Sequence, residues 1–192
     1  MKIACVGYRD WSLKIYSKLQ RSFSEHQFLI QNSEESYDEL ELKKFNPSII
    51  LFYGWSKIIP NLLLDNYACL MLHPSPLPKY RGGSPIQNQI IRGEINSAVT
   101  IFVMNDDVDS GPILKQEYLN LSGHIDEIFE RIEVIGFDLT SQILVEGFDK
   151  KEQDNSKATY FSRLTPEMSE ITIKELTEAP SDYLYNKIRM LQ

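Results

Sequence analysis

Residues 72–87, LHPSPLPKYRGGSPIQ, concentrate side chains that can move a proton and hold an anion. His73 is followed at once by Pro74, Pro76 and Pro78. Proline fixes φ, so such a loop holds an imidazole in one place. Gly82 and Gly83 let the backbone turn. Ser84 and Pro85 then open a helix, with Ser84 as its cap and Pro85 at its first position. The free amides at that N-terminus suit an anion.

A second segment, residues 103–114 (VMNDDVDSGPIL), places Asp109 before Ser110 and Gly111. A carboxylate beside an imidazole orients the ring and favours its charged form. The other histidines, His26 and His124, have no such surroundings and read as structural. Asp106 and Asp107 lack the spacing of a calcium loop. Cys5 and Cys69 lie in apolar runs and read as buried free thiols. No spacing of Cys, His or carboxylate predicts a metal.

Both segments need a scaffold. Residues 2–8, 26–30, 47–53 and 69–72 are short apolar runs that read as strands, with helical periodicity at 10–20 and a polar helix or loop at 34–44. Asp10 is a candidate cap for the first helix. A short helix is expected at 58–66. Strands alternating with helices predict an α/β fold with a mostly parallel sheet. Such sheets bind ligands beyond the carboxyl ends of their strands. The fourth strand runs directly into His73. A helix at 84–93, strands at 98–104 and 112–121, and a long amphipathic helix at 124–148 follow. Residues 149–157 form a polar linker, and the tail holds one short strand and one or two short helices.

The chain has 192 residues, 42% of them hydrophobic and 11% aromatic, enough for one domain with a small appendage. Its net charge of −7 and the absence of a Lys/Arg run longer than two weigh against a nucleic-acid partner. No basic-plus-apolar leader opens the sequence, and no apolar run approaches ~18 residues. A cytoplasmic protein without a membrane partner is expected.

The two segments together resemble the folate-dependent formyltransferases that act on glycinamide ribonucleotide, methionyl-tRNA and sugar nucleotides. Their pattern is Asn-x-His-x-Ser-x-Leu-Pro, then Arg-Gly, then Asp-x-Gly-x-Ile/Val. His73, Ser75, Leu77, Pro78, Arg81 and Gly82 match, as do Asp109, Gly111 and Ile113. The offset from His73 to Asp109 is 36 residues, as the family leads one to expect. The likeness covers at least residues 2–121.

The resemblance implies a Rossmann-like catalytic domain at 1–150, a short C-terminal extension at 151–192, and 10-formyltetrahydrofolate as formyl donor. It implies His73 as the base and Asp109 as its orienter. It puts Trp55, Lys57, Ile58, Ile59 and Leu77, with Asn105, Asp106, Asp107 and Val108, around the folate. It puts Gly7, Tyr8 and Arg9, with Ser75, Arg81, Gly82, Gly83 and Ser84, beside the acceptor. One position departs. Met71 stands where the family has an asparagine whose amide polarises the formyl oxygen, and a thioether cannot donate a hydrogen bond.

The tail, ATYFSRLTPEMSEITI and then YNKIRML, is similar to the segments that follow the catalytic domain in sugar and tRNA formyltransferases. The length is too short for the further domain of the tRNA enzymes. With the acidic balance, the expected acceptor is a nucleotide-linked amino sugar, as in lipopolysaccharide O-antigen synthesis, and a homodimer is compatible. The alternatives are a folate or sugar-nucleotide binding protein without turnover, and a formyltransferase acting on a carrier-bound aminoacyl group or methionyl-tRNA.

Overall fold

The computed structural model describes residues 1–191. Gln192, the last residue of the expected extension, lies outside the described residues, as does the side chain of Leu62.

The first half winds β1 (Lys2–Val6), α1 (Asp10–Ser22), β2 (Gln27–Gln31), α2 (Glu39–Phe45), β3 (Ile49–Tyr53), α3 (Asn61–Asn66) and β4 (Ala68–His73). The second half adds β5 (Arg81–Gly82), α4 (Pro85–Ile90), β6 (Asn96–Val103), β7 (Ile113–Asn120) and α5 (Ile125–Glu146). A tail of β8 (Tyr160–Phe161), α6 (Ile173–Glu178) and α7 (Ser181–Arg189) follows. Six strands form one sheet in the order β2-β1-β3-β4-β6-β7. The first three ladders are parallel; β4–β6 and β6–β7 are antiparallel. The sheet is therefore mostly parallel with flanking helices, as expected.

Strand periodicity builds a layer on each face. Ile49, Leu51 and Tyr53 pack with Ile15, Tyr16 and Leu19 of α1 and with Ile128 and Ile132 of α5. Ile50 and Phe52 face the other way, onto Leu42, Leu63, Trp55 and Ile59. A strand buried on both sides is apolar at every position, which is why β3 reads as an unbroken apolar run. The strand order reverses between β1 and β3, and a crevice opens beyond their carboxyl ends.

Several local expectations change. Arg9, not Asp10, is the residue that precedes α1, and Asp10 is its first helical residue. Residues 58–60 are not helical, with Pro60 extended, so the helix begins only at Asn61. Helix α4 stops at Ile90, short of the expected Gly93. Ser84 precedes α4 with φ 47 and makes no side-chain cap; its hydroxyl accepts from the Leu164 N–H instead.

The segment expected as a plain loop contains β5, which pairs in parallel with β8 of the tail. The Arg81 N–H donates to Thr159 O and the Gly83 N–H to Phe161 O, both at 2.9 Å. A Cβ at Gly82 would meet Phe161 O, and one at Gly83 would meet the Arg163 backbone. The two glycines permit close approach of the tail, beyond the turn that the sequence suggests. Among the described residues, no helix is long and apolar enough to cross a membrane.

Two outcomes follow from this packing. The buried Tyr16 hydroxyl accepts from the Tyr53 N–H at 2.7 Å and lies 2.9 Å from Leu51 O. Tyr16→Phe leaves that amide unpaired and is expected to destabilise the fold by about 1–3 kcal/mol, read by urea titration. Gly83→Ala is expected to lift the tail strand and speed limited proteolysis within residues 155–163. Unchanged protection would show that the close approach is not needed to seat it.

Candidate active site

Strand β4 presents Cys69, Met71 and His73 on one face by its two-residue period. His73 ends the strand and is buried. The proline loop then folds back on itself. The Ser75 N–H donates to His73 O at 2.9 Å, the Ser75 hydroxyl to Lys79 O at 2.8 Å, and the Thr100 hydroxyl to Ser75 O at 2.7 Å. These bonds deliver Tyr80, at φ 59, with its carbonyl 2.7 Å from His73 Nε2. A carbonyl only accepts, so Nε2 carries the hydrogen and Nδ1 is left to gain or lose a proton.

Nδ1 lies 3.5 Å from Asp109 Oδ2, longer than an ordinary N–H···O bond. Active-site contacts of this kind commonly tighten when substrate binds. Both side chains are mostly buried. The carboxylate arrives by an indirect route. Strand β6 runs antiparallel to β4, and the Met104 N–H donates to Cys69 O, at the opposite end of β4 from His73. The connection from 105 to 112 must double back to bring Asp109 to the imidazole. Asp109 sits at φ 52, a conformation L-residues rarely adopt, and Asp tolerates better than most. Its Oδ2 accepts from the Gly82 N–H at 2.8 Å. At Gly111 a Cβ would strike Val103 O, so the return path requires glycine there.

A cleft of about 1030 Å³ opens over this pair. Met71, His73 and Asp109 all line it. On one lip stand Trp55, Lys57, Ile58 and Ile59; on the other stand Asn105, Asp106, Asp107 and Val108. Ile58 and Val108 are 96% and 62% exposed, apolar groups held open to solvent across the gap. Lys57 also pairs with Glu34 at 2.7 Å. Trp55 is buried, packed edge-on against Tyr8, and its Nε1 has no hydrogen-bond partner among the described residues. Tyr8, Arg9, Gly82, Gly83 and Ser84 line the cleft as well. The Tyr8 hydroxyl bonds Ser56 Oγ, tying the ends of β1 and β3 together.

Four of the singled-out residues do not line the cleft. Gly7 donates to Gln31 O at 3.1 Å beneath it. Ser75 and Leu77 are buried within the proline loop. Arg81 is 1% exposed, its guanidinium turned away and held by Gln153 Oε1, Asn155 Oδ1 and the Tyr160 hydroxyl at 2.7–3.2 Å. The sequence reading missed Phe102, Phe129 and the tail residues Phe161 and Arg163, which all line the cleft. Strand alternation put Phe102 on the Met71 face, a usable signal; no local signal brings the tail over the site. Among the described residues, no group of His, Cys or carboxylates could hold a metal ion.

A family profile described as formyl transferase matches residues 15–146. Methionyl-tRNA formyltransferase of Finegoldia magna is 32% identical over 83% of this chain and 52% of its own length. The chain thus spans about half the length of the curated relatives it matches. Among solved structures, methionyl-tRNA formyltransferase from Clostridium thermocellum superposes with a TM-score of 0.91 at 32% identity, over 100% of this chain and 83% of that one. A sugar N-formyltransferase from a Shewanella species shares the fold with a TM-score of 0.75 at 17% identity, over 98% of this chain and 87% of that one. By the profile match over most of its length, and by the residues gathered in the cleft, the chain belongs to the formyl transferase family.

Proposed function

We propose that this chain transfers a formyl group from 10-formyltetrahydrofolate to the amine of an aminoacyl-tRNA, methionyl-tRNA in the first instance. The observation that carries the reading is the His73–Asp109 pair at 3.5 Å at the floor of the cleft. The cleft suits the donor: its volume is that of a small-molecule site, and the lips carrying Ile58 and Val108 offer apolar cover for a flat heteroaromatic ring. The donor supplies the electrophilic formyl carbon. The unit proposed to carry the reaction is residues 1–150 with the strap at 151–163.

The protein's part is acid–base chemistry and placement. The acceptor's neutral amine forms the new C–N bond as the bond from the formyl carbon to the donor nitrogen breaks. His73 Nδ1 takes the proton the amine sheds. The Tyr80 carbonyl holds the ring through its Nε2–H, and Asp109 offsets the positive charge that arises when Nδ1 is protonated. The donor nitrogen leaves with its electron pair and takes up the proton held by His73, which returns the imidazole to its neutral form. General-base help of this kind contributes about 10²–10⁴ in rate.

The choice of acceptor rests on the relatives. Those at 32–33% identity are methionyl-tRNA formyltransferases, whereas the sugar enzyme shares 17%. The expected amino-sugar acceptor therefore gives way to the tRNA alternative. The acidic balance that weighed against nucleic acid is a whole-chain sum; the cleft lining carries Arg9, Lys14, Lys57 and Arg163 beside a larger number of carboxylates, so charge does not choose the acceptor. A second reading, binding without turnover, is favoured by Met71 alone.

Three measurements test this. Calorimetry with 5-formyltetrahydrofolate is expected to show binding, and none at millimolar ligand overturns the folate reading. His73→Ala or Asp109→Ala is expected to lower formyl transfer to methionyl-tRNA at least ~10²-fold. Transfer instead to a panel of amino-sugar nucleotides, read by mass spectrometry, would restore the sugar acceptor. Met71→Asn is expected to raise kcat by about 10²-fold with folate affinity little changed, because an oxyanion donor acts on charge that develops during reaction. Equal rates would show that another group serves the formyl oxygen, and no turnover in either form would favour binding alone.

A further inference from the structure

We propose that Gln153, in the polar strap after α5, is a positioning residue that holds Asp109 against His73, with Arg81 fixing the orientation of its amide. This rests on Asp109 acting as the partner of the base. Gln153 Nε2 donates to Asp109 O at 3.0 Å and to Gly111 O at 2.7 Å. Those two carbonyls bracket Ser110, at the point where the acidic loop turns back towards β7. Gln153 Oε1 accepts from Arg81 Nε at 3.2 Å and from a terminal Arg81 nitrogen at 2.7 Å.

Every hydrogen-bonding group of the amide is therefore used. Only one orientation can satisfy them. Arg81 has no acceptor to offer and the two carbonyls have no donor, so rotating the amide by half a turn would break all four contacts. Arg81 cannot rotate away, because it is buried and its remaining donors reach Asn155 Oδ1 and the Tyr160 hydroxyl. The residue after Arg81 is Gly82, whose N–H binds the Asp109 carboxylate directly. One short piece of chain thus grips the acidic loop twice, at the carboxylate through the Gly82 amide and at the backbone through Gln153.

The loop needs that grip. Asp109 is held at φ 52, and its neighbours Asp106, Asp107 and Val108 are exposed. Within the loop, the Ser110 N–H reaches Asp107 O at 3.4 Å and the Ser110 hydroxyl bonds Asn105 Oδ1 at 2.9 Å. These local bonds tie the loop to itself and not to the body of the protein. At its far end the Val103 N–H donates to Pro112 O at 2.9 Å, and beside Asp109 it is Gln153 and Gly82 that provide the ties to the body.

Gln153→Glu separates this role from structural support. The carboxylate still accepts from Arg81, and more strongly, so the strap stays clamped. It can no longer donate to Asp109 O or Gly111 O. The expected result is a melting temperature lowered by no more than in Gln153→Ala, a kcat lowered by about 10- to 10²-fold, and a KM for the formyl donor within about twofold, since small misplacements of a reacting group carry large rate costs. In an Asp109→Ala background the same change should cost less than about twofold, because the group it positions is gone. Hydrogen exchange should quicken at residues 105–112 and stay unchanged at 155–161. Gln153→Ala should reproduce the faster exchange and also lower the melting temperature by releasing Arg81. A Gln153→Glu protein with parental kcat, or an equal loss with and without Asp109, or an unchanged exchange rate at 105–112, overturns the proposal. Should the parent transfer no formyl group, the proposed function fails, and the exchange measurement alone still decides whether Gln153 holds the loop.

Discussion

Everything about this site depends on returning one carboxylate to one imidazole. His73 stands at the carboxyl end of β4, while β6 runs the other way and delivers the acidic loop level with Cys69. The sheet by itself would separate Asp109 from its partner by most of a strand. The loop recovers that distance by doubling back through a left-handed aspartate and a glycine that lies on the Val103 carbonyl. Backbone in such a conformation persists only where surrounding contacts over-determine it. Those contacts come from the Gly82 amide and the Gln153 side chain.

That requirement explains a feature that would otherwise be costly. Arg81 buries a full positive charge with only neutral oxygens for partners, and a buried charge is expensive unless each of its donors is met. Here the guanidinium joins its own proline loop to the strap, which it grips at Gln153, Asn155 and, in β8, Tyr160. The pairing of β5 with β8 runs alongside, and Gly82 and Gly83 let the backbones touch. The tail is for this reason part of the machinery that shapes the cleft, and Phe161 and Arg163 become its wall.

The imidazole is constrained as closely as the carboxylate. A proline loop knotted by Ser75 and Thr100 presents the Tyr80 carbonyl to Nε2, which fixes the tautomer and leaves Nδ1 facing Asp109. The general-base reading gains its atomic content from this contact. Met71 lies on the same face two residues earlier, so the departure from the family pattern falls inside the reacting region.

The sequence by itself determined the layers and the pairing of His73 with Asp109. Apolar runs of strand length alternating with helical periodicity sufficed for the α/β sheet, because burial on both faces leaves its mark on every residue of β3. His73 and Asp109 were legible because their neighbours, prolines on one side and a Ser-Gly turn on the other, constrain the backbone locally. Net charge and length pointed to an amino-sugar acceptor, whereas the relatives at 32–33% identity are methionyl-tRNA formyltransferases; both quantities are sums over the chain and say little about one rim of one cleft. What the tertiary structure alone decided is long-range. Arg81 matched a motif whose resemblance put it beside the acceptor, yet it is turned inward by partners more than 70 residues away. Gln153 sat in a polar stretch with the composition of a linker, and nothing near it in sequence reveals that it grips the Asp109 loop. A side chain's hydrogen-bond partners depend on which distant backbone atoms the fold brings within 3 Å, and local residue types carry no record of that.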